Sequence, residues 1–387
     1  MKKIYLDYSA TTPTDPKVLE SIIPFFTEKF GNPSSIHTFG QETRTAIEVS
    51  RDSIAKLLKV RQSEIFFTSG GTESINFALI GASRVLKKDY GKTKIISSLA
   101  EHHATLETCK FLEKQGFEVV LLKPDSEGKI SIEELVNSLD DKTGLVSLLH
   151  INNETGSIND IQEIAEETSK RNILLHIDAV QSFGKYLIDL NTIKIDMLSA
   201  SSHKIFGPKG AGFLFIRTGT PIEPIIFGGS QERNRRGGTE NLPGIVGLAK
   251  AAELAYKEMQ ENFEHVSKLK NYFLSLLEKH IDKEIFVNGG ISNASPYILN
   301  ISLNPDLYDI DENTLIMNFA IRGVAVSSGS ACTSGVLEPS HVLLAMGFDE
   351  KRASMAIRFS FSKLTRESEI DYAYEVLCEI LNRLKKK

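Results

Sequence analysis

From about Ser63 to Arg217 the chain alternates short apolar, β-rich runs with amphipathic stretches. The runs are EIFFT at Glu64, KIISS at Lys94, EVVLL at Glu118, GLVSLLH at Gly144, ILLHID at Ile173, IDMLSAS at Ile195 and AGFLFIR at Ala211. Between most of them lie helical patterns, such as SINFALIGASRVLKK after Glu73 and ATLETCKFLEKQ after His103. Strands that alternate with helices predict an α/β domain with a mostly parallel, seven-stranded sheet covered on both faces. In such sheets ligands bind beyond the carboxyl ends of the strands.

Past the glycine-rich stretch FGGSQERNRRGGTENLPG, the pattern predicts one long helix from Ile245 to about His280. A second set of strands comes next, YILNISL near Tyr297, GVAVSS near Gly323 and AIRFSF near Ala356, before a last helical pattern ending in NRLKKK. That is the signature of a smaller α+β domain. The expected division is a large domain over residues 14–260 and a small domain from residues 1–13 and 261–387. The first dozen residues are too short to fold alone, so they are expected to join the small domain. With no repeat or low-complexity linker, the two should pack directly and enclose a cleft.

Composition narrows the function classes. The 387 residues are 41% hydrophobic and 25% charged, ordinary globular values, and the net charge of -5 is interspersed rather than blocked. No nucleic-acid partner and no membrane partner is expected. The three cysteines, Cys109, Cys332 and Cys378, have no CxxC spacing. Neither a disulfide framework nor a metal site is expected, and a reducing, cytoplasmic location fits best. The N-terminus turns polar too early for a signal peptide, and no apolar run approaches the roughly 20 residues that span a bilayer.

Candidate chemistry then comes from strand ends. In SASSHKIFGPKG an apolar strand ends in Ser201, His203 and Lys204 before a glycine turn. Most lysines are surface residues. Here, however, Ser201 and His203 supply donors suited to a phosphate, and the turn permits close backbone approach. Asp178 ends the ILLHID strand, where it serves either as a helix cap or as an anion facing the ligand region. Lys204 and Asp178 together are the pair a pyridoxal enzyme needs: a lysine for the Schiff base and an anion to hold the pyridine nitrogen protonated. FFTSGGTES reads as strand, glycine turn and helix, so Gly71, Thr72 and nearby backbone N–H groups form a phosphate site or a plain capped turn. In AEHHA two histidines open a helix, either as capping residues or to lie flat on an aromatic ring. Arg358 alternates with Ile357, Phe359 and Phe361, so it is a surface arginine or a fork for a carboxylate. Cys332 lies in SSGSACTSG, a Ser- and Gly-rich loop that suits a nucleophile, whereas Cys109 and Cys378 lie on amphipathic helical patterns as ordinary apolar residues.

Taken in order, YLDYSATTP, GNPSSIH, TSGGTES, AEHHA, NNETG, DAVQS, SSHKIFGPKG, RRGGTENLPG, SSGSACTS, LEPSHVLLAMG and AIRFS span nearly the whole chain. This set resembles the class V, fold-type I pyridoxal-phosphate family, specifically cysteine desulfurases of the NifS/IscS type. The resemblance implies that L-cysteine is converted to L-alanine and its sulfur held as a persulfide on Cys332. It implies Lys204 as the cofactor lysine, Asp178 at the pyridine nitrogen, His102 stacked on the ring as a catalytic residue, and Gln181 at the ring hydroxyl. Thr72, Ser201 and His203 would hold the phosphate, joined across a homodimer by Thr239 of the neighbour. Asn153 and Arg358 would orient the substrate. A sulfur-acceptor or iron–sulfur scaffold protein is the implied partner. The neighbouring alternatives are selenocysteine lyase or another class V aminotransferase, and neither requires a reactive Cys332. Two departures stand out. Gly71 replaces a frequent alanine, expected to be harmless because it only removes a methyl. The chain also ends soon after the last helical pattern, so a scaffold contact through a long tail is not expected.

Overall fold

The computed structural model describes residues 3–328 and 339–386. Twelve strands are found among them: β1 (Ile4–Tyr5), β2 (Ile65–Thr68), β3 (Lys94–Ser98), β4 (Glu118–Leu122), β5 (Thr143–Leu149), β6 (Leu174–Asp178), β7 (Met197–Ser201), β8 (Gly212–Ile216), β9 (Ile285–Asn288), β10 (Ile298–Leu303), β11 (Val324–Ala325) and β12 (Ala356–Ser360). Seven form the central sheet in the order β2-β8-β7-β6-β5-β3-β4. All its pairings are parallel except those of β8, which runs against both β2 and β7. The expected seven-stranded, mostly parallel sheet is therefore present.

The apolar runs are continuous because both faces of the sheet are covered. Alternate residues feed two cores: Ile96, Val146, Leu175, Ile177 and Leu198 on one side, Ile95, Leu145, Met197 and Leu214 on the other. Over the first face the helices Thr38–Leu58 and Leu242–Lys257 pack against each other. On the other, the helical run from Gly71 to Tyr90 widens to a π-helical turn over Phe77–Gly81, where the pattern had predicted one regular helix. A Cβ on Gly81 would lie 2.4 Å from the Glu223 carbonyl, so the widened turn accommodates a crossing chain.

The expected helix from Ile245 to His280 is two helices, Leu242–Lys257 and Met259–Leu277. They break at Glu258, whose carboxylate accepts a hydrogen bond from Lys363 at 2.8 Å. Behind the break, β9, β10 and β12 form an antiparallel sheet around Phe273, Phe319 and Phe359. GVAVSS meets that sheet through a bridge from Ser327 to Arg358, with backbone hydrogen bonds at 2.7 and 3.2 Å. Its β11 pairs in parallel with β1, and Leu6 is fully buried in the same core. The first residues thus cross from this core toward the carboxyl edge of the seven-stranded sheet.

Candidate active site

Strands β2, β3, β6 and β7 all end at one edge of the central sheet, and residues at or just past each end line one cavity of about 340 Å³. The turn after β2 brings Gly71 and Thr72, and the turn after β3 brings His102. Asp178 closes β6, with Val180 and Gln181 just beyond it, and Ser201 closes β7 just before His203 and Lys204. Asn153, Arg358, Ser9 and Ala10 complete the wall. Ten of the residues singled out in the sequence therefore meet. Thr239 does not: it is exposed and lines a separate cavity with Arg236, Glu240 and Asn241. Cys332 lies outside the described residues.

Among the described residues Lys204 has no carboxylate partner at hydrogen-bond distance. Its amine donates to the carbonyls of Ser9 and, at 2.9 Å, of Ala10. Burial disfavours its charged form, and the cations of Arg358 and Lys185 add to that, so its pKa falls to about 7. Asp178 is shifted the opposite way. It is 2% exposed, and burial raises its pKa to about 6 despite the Val180 N–H bond at 2.9 Å and the nearby Lys204.

His102 caps the helix His103–Lys114, its Nδ1 accepting from the Ala104 N–H at 3.0 Å. Capping and cavity lining coexist, and the cap leaves the proton of the neutral ring on Nε2. Burial and the neighbouring Lys204 push its pKa down to about 4. His203 is likewise neutral near pH 7, lowered to about 4 chiefly by burial, with Nδ1 bonded to the Thr11 hydroxyl at 3.1 Å. Arg358 is no surface residue. It is 4% exposed, with one fork nitrogen on the Asn153 carbonyl at 3.0 Å, another on Asp7 at 2.8 Å, and a buried Nε that finds no partner among the described residues. At Gly71 a Cβ would lie 2.7 Å from Val180 Cγ2. Val180 fills the space that an alanine methyl would need.

Sequence reasoning missed the N-terminal carbonyls of Ser9 and Ala10, Asp7 beside Arg358, and Lys185 beside Gln181. It also missed the buried Glu101, whose Oε1 accepts the Leu149 N–H at 2.8 Å. Only the DYSATT run, short and polar next to an apolar pair, hinted that the N-terminus turns toward a site.

The profile of the aminotransferase class-V family matches residues 4–373. The chain belongs to that family. It is 46% identical over 384 residues to the cysteine desulfurase IscS of Dictyoglomus turgidum, covering 99% of this chain and 96% of that protein. A solved NifS-like protein superposes with a TM-score of 0.91 at 39% identity, covering 99% of this chain and all of the other. The structure of SspA in complex with cysteine matches at 0.80 and 35%, covering 93% and 99%. The fold is that of the fold-type I pyridoxal-phosphate enzymes.

Pyridoxal phosphate fits the open valences of the cavity. Among the described residues Lys204 bonds only to carbonyls, and it is partly neutral, so its nitrogen is free to attach a carbonyl compound. Asp178 is a buried anion awaiting a cation. The orphaned Nε of Arg358 and the hydroxyls of Thr72 and Ser201 are donors on a wall that offers them to anionic groups.

Proposed function

We propose that this class-V enzyme uses the described cavity to convert L-cysteine to L-alanine, as a pyridoxal-phosphate-dependent cysteine desulfurase that hands the sulfur to Cys332. The observation that carries the assignment of residues is the meeting, in one cavity, of a near-neutral buried lysine, a buried aspartate and an arginine with a free donor. Lys204 would attach the cofactor, Asp178 would hold its ring nitrogen, His102 and Val180 would bracket the ring, and Gln181 would reach its hydroxyl. Thr72, Ser201 and His203 would take the phosphate. Bound there, the cofactor supplies an electron sink for charge released at the substrate's α-carbon. Asn153 and Arg358 would orient the substrate carboxylate, Arg358 being steadied there by the Asn153 carbonyl and Asp7 on its two fork nitrogens. Lys204, with a pKa of about 7, is suited to take the α-proton and return it. The Cys332 thiolate attacks the substrate sulfur. An S–S bond forms, the C–S bond breaks with its electron pair left on carbon, and that carbon ends as the methyl of alanine.

The persulfide would serve iron–sulfur cluster assembly or another sulfur-using pathway through an acceptor protein. A cytoplasmic site is part of the proposal: Cys109 and Cys378 are free thiols, and no helix among the described residues is long and apolar enough to cross a membrane. So is a division into domains over 14–260 and over 1–13 with 261–387, because Ile4 and Leu6 share a core with residues 266–381. A homodimer completes the reading, supported by the exposed Thr239 and by apolar side chains left uncovered on this chain. The experiment is mass spectrometry of enzyme treated with cysteine and no reductant. The added sulfur is expected on Cys332, and Cys332→Ala is expected to bind cysteine yet lose sulfur release by at least a hundredfold, a typical catalytic loss of ~10²–10⁴. Sulfur only on Cys109 or Cys378, or normal alanine production by Cys332→Ala, overturns it.

A further inference from the structure

Gln181 is 3% exposed, and its amide is held at both ends. Nε2 donates to the Ser9 carbonyl at 2.9 Å, and Oε1 accepts from the Lys185 ammonium at 3.2 Å. A carbonyl can only accept and an ammonium can only donate, so this pair of partners admits one of the two amide orientations. Nε2 has a second N–H on a side chain that lines the cofactor cavity.

Lys185 itself is unusual in what surrounds it. Among the described residues it forms no ion pair, and its ammonium lies 5.2 Å from the centre of the Tyr297 ring. With Lys204 it lines a second, smaller cavity of about 40 Å³ behind the first. The acids there, Asp15 and Glu258, are both taken by Lys363, at 3.0 and 2.8 Å. Its positive charge is therefore left without a local counter-ion, on the far side of Lys204 from the cavity that holds Asp178.

We propose that Lys185 is a positioning residue of the active site: it locks the Gln181 amide with its N–H edge available to the cofactor, and it sets a second positive charge behind Lys204. The proposal rests on the reading of the cavity as the cofactor site. Arg358 and Lys185 disfavour a proton on the Lys204 nitrogen, whereas Asp7 and Asp178 favour one. His102 and His203 feel the Lys204 charge in turn. Lys185 is itself lowered by burial to about 8, so it still carries most of its charge at neutral pH. A cationic neighbour is a recognised way to keep an active-site amine reactive. Lys185 does this from behind, without occupying the substrate's side.

The test uses full-length holoenzyme and three substitutions, with the absorbance of bound cofactor followed from about pH 6 to 10. Lys185→Met removes charge and hydrogen bond, Lys185→Gln removes the charge but keeps a donor for Gln181, and Lys185→Arg keeps both. The midpoint of the spectral transition is expected to rise by about one pH unit in the Met and Gln variants, a tenfold gain in proton affinity, and to stay near wild type in the Arg variant. The dissociation constant for pyridoxal phosphate is expected to weaken several-fold in the Met variant and less in the Gln variant. An unmoved midpoint in both neutral variants overturns the electrostatic role, and equal cofactor affinity in Met, Gln and wild type overturns the locking role. Borohydride treatment of the wild type separates this from the underlying reading. If the cofactor is not fixed to Lys204 there, the site assignment itself fails.

Discussion

Asp178 shows how a functional side chain trades stability for chemistry. Its carboxylate is buried with one backbone hydrogen bond, and its pKa is about 6 against an ordinary 3.8. Because the folded-state value is raised, the native state is favoured when the group is protonated, and that contribution is lost as pH rises from about 4 through 6. A difference of that size corresponds to about 2–3 kcal/mol. In cofactor-free protein Asp178→Asn is therefore expected to raise unfolding stability by about that amount at pH 8, with the gain shrinking to nothing near pH 4. The same variant is expected to lose turnover by about 10²-fold or more, because no anion remains for the ring nitrogen. Denaturant titrations at several pH values, set beside alanine production, check both. Lys204 and Asp178 were legible as cavity residues because each lies at or just past the end of an apolar strand, and strand ends of parallel sheets face ligands. Ser9, Ala10 and Asp7 were not. Their partners Lys204 and Arg358 lie 194 to 351 positions away, and no local pattern encodes contacts at such separation.

The glycine-rich segment between β8 and the helix Leu242–Lys257 is fastened to the sheet by a buried ion pair. Arg51, on the helix Thr38–Leu58, grips both carboxylate oxygens of Glu232 at 2.7 and 2.8 Å, and the carboxylate also accepts the Phe67 N–H of β2 at 2.8 Å. Glu232, Arg233 and Asn234 all carry positive φ, at 44°, 55° and 64°. Such a run is costly for residues with a Cβ and persists only where surrounding contacts fix it. Arg51→Met is expected to lower stability by about 3–5 kcal/mol, since it strands a buried carboxylate. The double variant Arg51→Met with Glu232→Leu is expected to recover part of that loss in urea unfolding. The segment's composition marked a loop, but its strain and anchor depend on a helix far upstream. The elements that escaped the pattern have equally physical reasons. β1 and β11 are two residues each and β9 is four, too short to show a clear period of two. The break at Glu258 falls inside a continuous helical pattern with no Gly or Pro to mark it, and its carboxylate meets Lys363, 105 positions away.

Taken whole, the molecule leaves a group of large apolar side chains uncovered among the described residues. Leu19, Ile23 and Phe26 recur at helical spacing and are about half exposed or more. Phe30 is 65% exposed, and Ile36 is 91% exposed. Phe30 and Phe39 touch, their ring centres 6.0 Å apart. A monomeric protein rarely shows water so many large apolar side chains within some twenty positions. Thr239, meanwhile, is exposed outside the cofactor cavity of its own chain, on the segment that the Arg51–Glu232 pair anchors. A twofold dimer that buries the apolar face and offers Thr239 to the neighbour answers both observations, because an isologous interface uses each patch twice. Sedimentation is expected to show a dimer, and Ile36→Asp with Phe30→Asp is expected to make it dissociate at micromolar concentration by setting charge into an apolar interface. If Thr239 reaches the neighbour's phosphate, that dissociated variant should lose bound pyridoxal phosphate on dilution, and Thr239→Ala alone should weaken cofactor affinity about tenfold, the worth of one hydrogen bond to a charged group. A monomer that keeps full activity, or a dimer whose cofactor affinity ignores Thr239, would show that each chain builds its phosphate site alone.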